Sequence, residues 1–341
     1  GRSMAKRIHR QNGPWQAVEA RRLVGHPHES LHDLDALRLL WPSPFTHPGW
    51  MQAWHEVLAP RTHLWVRTFW EGGKPIGLAP LRLENGTARL IGDPDVCDHL
   101  DLVAAAGGEE PFCHALLNAL QSERVKRLDL APLRPDSTVL RALVPAARAA
   151  GHPVELREEG VLFAMDLPAS WEEYLQRLSG KQRHEVRRKQ RRLEAHGAVD
   201  FRMTEQPADL PPVLDQFLAL FRRNRADKAA FMDARMEAFF RRLTERVPGM
   251  CIGILSIAGI PVSGTLCCDH LGVRYLYNSA YDAGASHLSV GLAAKLASIR
   301  EAIDRGLSGY DFLKGDEPYK QRLGGRPVAL VHCRIDLGQA G

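Results

Sequence analysis

The sequence predicts a mixed α/β (α+β) protein made of two halves with the same rhythm, and three observations carry that prediction. Segments alternating every two residues, as strands do, take turns along the chain with segments of helical spacing. The order α–β–β–β–α–β–α read in the first half returns after about residue 160, without conspicuous sequence identity between the halves. The 341 residues suffice for two domains, and 45% hydrophobic with 25% charged residues supplies both a core and a solvated surface. That balance excludes collagen-like, low-complexity and disordered chains.

Each element follows from local signals. Gly1-Arg2-Ser3 ahead of Met4 reads as a cloning remnant, and nothing behind it resembles a signal peptide. Residues 30–60 read as helical with breaks, from Leu31, Leu34, Leu37 and Leu40 and then Trp50 and Trp54. His63–Phe69, Lys74–Arg82 and Thr87–Ile91 alternate as strands around Gly72-Gly73 and Asn85-Gly86, which is hairpin chemistry. A helix over 111–124, a strand over 126–130 and a helix over 138–150 complete the first half. The second half opens with one long helical stretch, Ser170–His196, then a strand at 199–203 and helices at 211–223 and 235–246. Strands follow at 250–257, 262–269 and 273–280. A helix over 289–305, capped by Ser289 and stopped by Gly306, leads to strands at 310–313 and 328–335.

Several chemistries lose their support. Cys97, Cys113, Cys251, Cys267, Cys268 and Cys333 show no C-x-x-C spacing, so they read as buried thiols in a reducing, cytoplasmic setting. The group His26, His28, His32, Asp33 and Asp35 has no fixed spacing, and no metal is assigned to it. Val247 to Cys268 is uncharged and long enough to span a bilayer, but its glycines, prolines and β-branched residues read as a buried hairpin. Phosphate-loop, dinucleotide, zincin and nucleophile-elbow motifs are missing.

Three features carry chemistry. The net charge is only +5, yet Lys181, Arg183, Arg187, Arg188, Lys189, Arg191 and Arg192 fall within twelve residues. As a helix this run is roughly 18 Å long, docked by Leu178, Val186 and Leu193 alone, which leaves a cationic face suited to a polyanion. Arg222, Arg223, Arg225 and Lys228 add a second basic cluster. Next, Asn278-Ser-Ala-Tyr281-Asp282 leads from a strand into a helix that starts with Ser289 and Gly291. Free N–H groups there suit a phosphate or an oxyanion. Finally, Tyr310-Asp-Phe-Leu-Lys-Gly-Asp316-Glu317-Pro-Tyr319-Lys320 brings a cation, carboxylates and a phenol to a strand end.

In this order, the three blocks resemble the GNAT-related acyltransferases of the FemABX and CelD/BioF2-like type. The first half fits as well, through Pro44-Phe45, Trp50, Trp54, Gly77-Leu-Ala-Pro80-Leu81, Gly92-Asp93 and Asp98-His-Leu-Asp101. The resemblance implies two tandem GNAT-like domains, each a mixed central sheet flanked by helices. It divides the chain into 4–160, 161–325 and a closing strand in 326–341 that returns to the first domain. It also implies an amide-forming transfer by direct attack of an amine on an activated acyl carbon, with no tightly bound cofactor. Lys320 is then expected to stabilise the oxyanion, and Asp316 or Glu317 to accept the amine proton unless the substrate does so itself. Tyr281, Asp282, Tyr319, Asn278, Ser289 and Gly291 are expected to position substrate, and Asp98 and Asp101 to grip a cationic acceptor. Coenzyme A-using members carry an Arg/Gln-x-x-Gly-x-Gly/Ala turn, of which Ser286-His-Leu-Ser289-Val-Gly291 keeps only the last glycine. The donor implied first is therefore aminoacyl-tRNA, with acyl-CoA as the alternative and a non-catalytic RNA-binding module as the competing class.

Overall fold

The computed structural model describes residues 25–28, 30–223 and 233–338. Residues 1–4, Arg225 and Lys228 lie outside them. Strands β1 (His26–His28), β2 (His63–Glu71), β3 (Lys74–Glu84), β4 (Thr87–Leu90), β5 (Val103–Ala104) and β6 (Arg127–Leu133) belong to the first half. Strand β7 (Val154–Asp166) crosses residue 160, and β8 (Val199–Thr204), β9 (Met250–Ile257), β10 (Ile260–His270), β11 (Val273–Tyr281), β12 (Gly309–Lys314) and β13 (Arg326–Asp336) follow. They form a single sheet in the order β1-β2-β3-β4-β6-β13-β7-β12-β11-β10-β9-β8, with β5 on β3. The pairs β4/β6 and β11/β12 are parallel and the others antiparallel.

The last strand is the seam. β13 pairs with β6 through Cys333↔Leu130 and with β7 through His332↔Arg157, so one strand joins the sheets of the two halves. His332 bridges Asp129 and Glu159 across it. The larger core lies on one face, where Trp50 meets Tyr277 at 4.8 Å and Phe239 at 6.2 Å, ring to ring, and couples the halves. A second core on Leu276, Ile299, Tyr310 and Phe312 seats the helix Val290–Asp304.

The turns form as their residues dictate. Asn85 and Gly86 both have positive φ (51° and 78°), as a tight hairpin demands. The uncharged stretch is the β9–β10 hairpin, and no helix among the described residues is long and apolar enough to cross a membrane. All six cysteines are free and buried.

The elements depart from these expectations in detail. Residues 30–60 fold into 3-10 turns at Leu34–Leu37 and Pro44–Thr46 and short helical segments at Pro48–Ala53 and Trp54–Leu58, and Leu40 is 70% exposed. The stretch 170–196 is two helices, Trp171–Arg177 and Gly180–Glu194, because Ser179 turns extended and caps the second by accepting from the Gln182 N–H at 3.1 Å. Ser289 does not cap the helix that follows: its backbone is left-handed (φ 54°) and its hydroxyl accepts no N–H of the first turn. Pro318–Arg322 is a short helix, and β7 was not foreseen at all.

Candidate active site

Two parallel strands that separate make the site. β11 and β12 pair only through Val273↔Gly309, Arg274↔Tyr310 and Tyr275↔Asp311. Just beyond, both bulge: Tyr277 is skipped in the β10 register, and Phe312 in the β7 register. Bulges bend and twist a strand, and here they part the two strands so that Leu276–Tyr281 continues without a ladder to β12. The 94–101 loop of the first half covers this opening. Tyr277 Oη donates to Val96 O at 2.9 Å, Lys314 Nζ to Pro94 O at 2.6 Å, and Asp98 Oδ2 accepts from the Lys314 N–H at 2.8 Å.

Lys320 lies at the C-terminal end of β12 and is 2% exposed. Its ammonium donates to the carbonyls of Leu313 (3.2 Å), Lys314 (2.9 Å) and Gly315 (3.4 Å) and pairs with Glu317 at 3.0 Å. Three donors facing four oxygens leave nothing for an acyl oxyanion. This corrects the expectation for Lys320: it anchors the strand end. Burial would raise the Glu317 carboxyl, but its own backbone N–H, Lys320 and Lys295 hold it below the usual range, which makes it a weak base at neutral pH. Asp316 is exposed on the same turn. Asp101 is likewise committed: its oxygens accept the amide N–H groups of Leu102, Thr138 and Val139 at 2.8–3.1 Å and so tie down the start of the 139–149 helical segment. Burial nonetheless pushes its carboxyl up to about 7.

On one face, the halves enclose a cleft of about 1000 Å³ whose lining includes His99, Asp101, Arg134, Tyr275, Asp311 and Arg326. His99 and Asp311 are 4% and 2% exposed, with His99 Nε2 and Asp311 Oδ2 3.9 Å apart. Arg134 reaches Asp311 at 3.6 Å and Asp136 at 3.1 Å. Burial pushes the Asp311 carboxyl up to about 7, although the Leu313 amide and Arg134 oppose it, and burial with Arg134 drives the His99 imidazole down to about 3. A buried carboxyl that titrates near neutrality beside a neutral histidine is the composition of an acid–base site. Sequence reasoning missed it, although both residues stand inside the blocks quoted for the resemblance. Asp98 is also raised by burial, with Lys314 opposing.

The second chamber is an apolar groove of about 260 Å³ between the basic helix and the helix Val290–Asp304, walled by Val186, Leu193, Phe201, Leu255, Leu292 and Leu296. Ser289 and Lys189 stand at its edge. Tyr281 lies against Gly291, Asp282 Oδ1 accepts the Gly284 N–H at 3.0 Å, and Asn278 Oδ1 accepts the Ser279 N–H at 3.0 Å. Tyr319 stacks under Lys295, whose Nζ is 4.2 Å from the ring centroid. Lys181, Arg187, Arg188, Arg191 and Arg192 are exposed, while Leu178, Val186 and Leu193 are buried as their spacing required. Arg183 turns back to Leu175 O and Gln176, and Arg188 pairs with Glu185 at 3.0 Å. Arg222 pairs with Glu237 and Arg223 is exposed. The structure thus gathers Asp98, Lys320, Glu317 and Tyr319 at the end of β12, and leaves the cationic helix at the other chamber.

Residues 180–321, which contain the basic helix, the parting strands and the Lys320 turn, match the family model described as an acetyltransferase (GNAT) domain. The match covers less than half of the chain and lies within its second half. No curated protein matches the sequence. Among solved structures, the chain superposes on FemX with a TM-score of 0.62 at 11% identity, over 90% of this chain and 96% of that one. The C-terminal domain of a putative lysylphosphatidylglycerol synthetase from Agrobacterium fabrum gives 0.58 at 11% identity, over 94% and 91% of the two chains. The L-PGS of Bacillus licheniformis gives 0.55 at 12% identity, over 79% and 83%. At such identities the likeness is one of fold, and it extends across both halves of the chain.

Proposed function

We propose that this GNAT acyltransferase forms an amide by moving an aminoacyl group from aminoacyl-tRNA onto an amine acceptor. The observation that carries the reading is the row of exposed cations, Lys181, Arg187, Arg188, Arg191 and Arg192, on the helix that also walls the groove leading to Ser289. A phosphate backbone resting on that helix would bring the charged 3′ end to the groove, where orientation does much of the catalytic work. The fold relatives point the same way, one being a putative lysylphosphatidylglycerol synthetase. Backbone N–H groups of β11 between Tyr275 and Ser279, where the strand has left the β12 ladder, are the donors we assign to the oxyanion in place of Lys320; the Ser279 N–H itself is held by Asn278 Oδ1. Charged tRNA is a cytoplasmic donor, so the reading carries a cytoplasmic location. The acyl-CoA alternative draws on the family match over 180–321.

The test supplies purified protein with charged tRNA or with acetyl-CoA, plus a panel of amines, with and without RNase. The expected result is product from charged tRNA alone, abolished by RNase and falling steeply with salt. Replacing Arg187, Arg191 and Arg192 by Glu should lower the salt slope of tRNA binding by about three or more. RNase-insensitive product from acetyl-CoA would overturn the tRNA reading.

A further inference from the structure

At the floor of the cleft a histidine nitrogen and a carboxylate oxygen face each other across a gap. His99 Nε2 is buried without a hydrogen-bond partner, and Asp311 Oδ2 stands 3.9 Å away, beyond hydrogen-bond length. The other carboxylate oxygen, Oδ1, is taken by the Leu313 N–H at 2.7 Å. A buried polar atom with no partner is costly, and such atoms mark places where a ligand or water completes the network. A tetrahedral nitrogen standing about 2.9 Å from both atoms spans the gap with two N–H donors. A quaternary ammonium has no donor to offer. The groups that bear on Asp311 are Arg134 after β6, His99 and Asp98 from the covering loop, Tyr275 on β11 and Lys320 from the short helix. Arg134 divides itself between Asp311 and Asp136.

We propose that His99 and Asp311 together receive the primary ammonium group of the acceptor, and that Asp311 takes the proton whose loss frees the amine to attack. The proposal rests on the acyl-transfer reading but not on the identity of the donor. One proton passes from the ammonium to Asp311 Oδ2. The nitrogen lone pair then forms the C–N bond to the acyl carbon, and the C–O bond of the donor ester, or the C–S bond of a thioester, breaks with its electron pair on the leaving atom. The second N–H proton goes to that leaving atom as the adduct collapses, and Asp311 returns its proton to solvent. With its pKa driven to about 3, the imidazole is neutral at pH 7, and in the tautomer protonated at Nδ1 it accepts at Nε2. Asp311, near 7, is poised to exchange a proton there.

The test titrates the full chain, with no acyl donor present, with glycinamide and with its N,N,N-trimethyl analogue, followed by calorimetry. Glycinamide is expected to bind saturably and the trimethyl analogue about tenfold or more weakly. Asp311→Asn keeps an oxygen for the Leu313 amide, so it should fold. It is expected to weaken glycinamide about tenfold and to remove the rise in affinity as pH passes 7. His99→Ala serves as the second variant, with a similar loss expected. Equal binding of the two probes, unchanged glycinamide affinity in a folded variant, or no saturable binding to the parent chain overturns the proposal. Because no donor is present, failure of the tRNA reading leaves this result standing, and the converse holds too.

Discussion

Along β12, the Lys320 ammonium at the C-terminal end is surrounded by three carbonyls and a carboxylate, whereas the Asp311 carboxylate nearer the start has one amide, a distant arginine and a gap. Both side chains are almost fully buried. The difference is satisfaction. A buried charge whose hydrogen bonds are all made has little left to offer a ligand and acts as scaffold, while one left short holds its interaction energy for whatever enters. Asp101 belongs with Lys320 in this respect, since three backbone N–H groups fill its oxygens.

The largest effect expected from this contrast is on stability at the satisfied sites. Lys320→Met keeps the packing of the stem but strips the ammonium from three carbonyls and Glu317, and should cost about 3 kcal/mol in urea unfolding. A Lys320 variant that lost turnover with no loss of stability would break the comparison. Asp101→Ala should cost about 2 kcal/mol, since three amide groups lose their acceptor; denaturant midpoints check this. The smallest effect sharpens the contrast from outside the core. Arg188→Ala, removing an exposed partner of Glu185, should leave the urea midpoint unchanged. It should still lower the salt slope of tRNA binding by about one.

Most of the fold was legible because its signals are local. Asn85-Gly86 and Ala258-Gly259 announce their hairpins through the backbone angles they adopt, and Leu178, Val186 and Leu193 announce the docked edge of the basic helix. β7 was not legible. Glu158, Glu159 and Gly160 cut short the alternation that Val154 and Leu156 begin, and it is a strand because β12 and β13 pair with it on either side. The site divides in the same way. The segment Tyr310–Lys320 marked the right place, but which of its charges is already satisfied depends on carbonyl directions that no spacing encodes. His99 and Asp311 lie 212 positions apart in sequence, and only the closure of the two halves over one sheet brings them to 3.9 Å.

The central claim is that Asp311, and not Asp316 or Glu317, takes the acceptor's proton. The measurement that tests it most directly is the pH dependence of kcat/KM for amide formation in the parent chain and in Asp311→Asn. A base must be ionised to act, so activity in the parent should fall as pH drops through about 7, where burial places this carboxyl. In Asp311→Asn the rate should be low and that acid limb absent. A variant that retains both the rate and the limb would contradict the account.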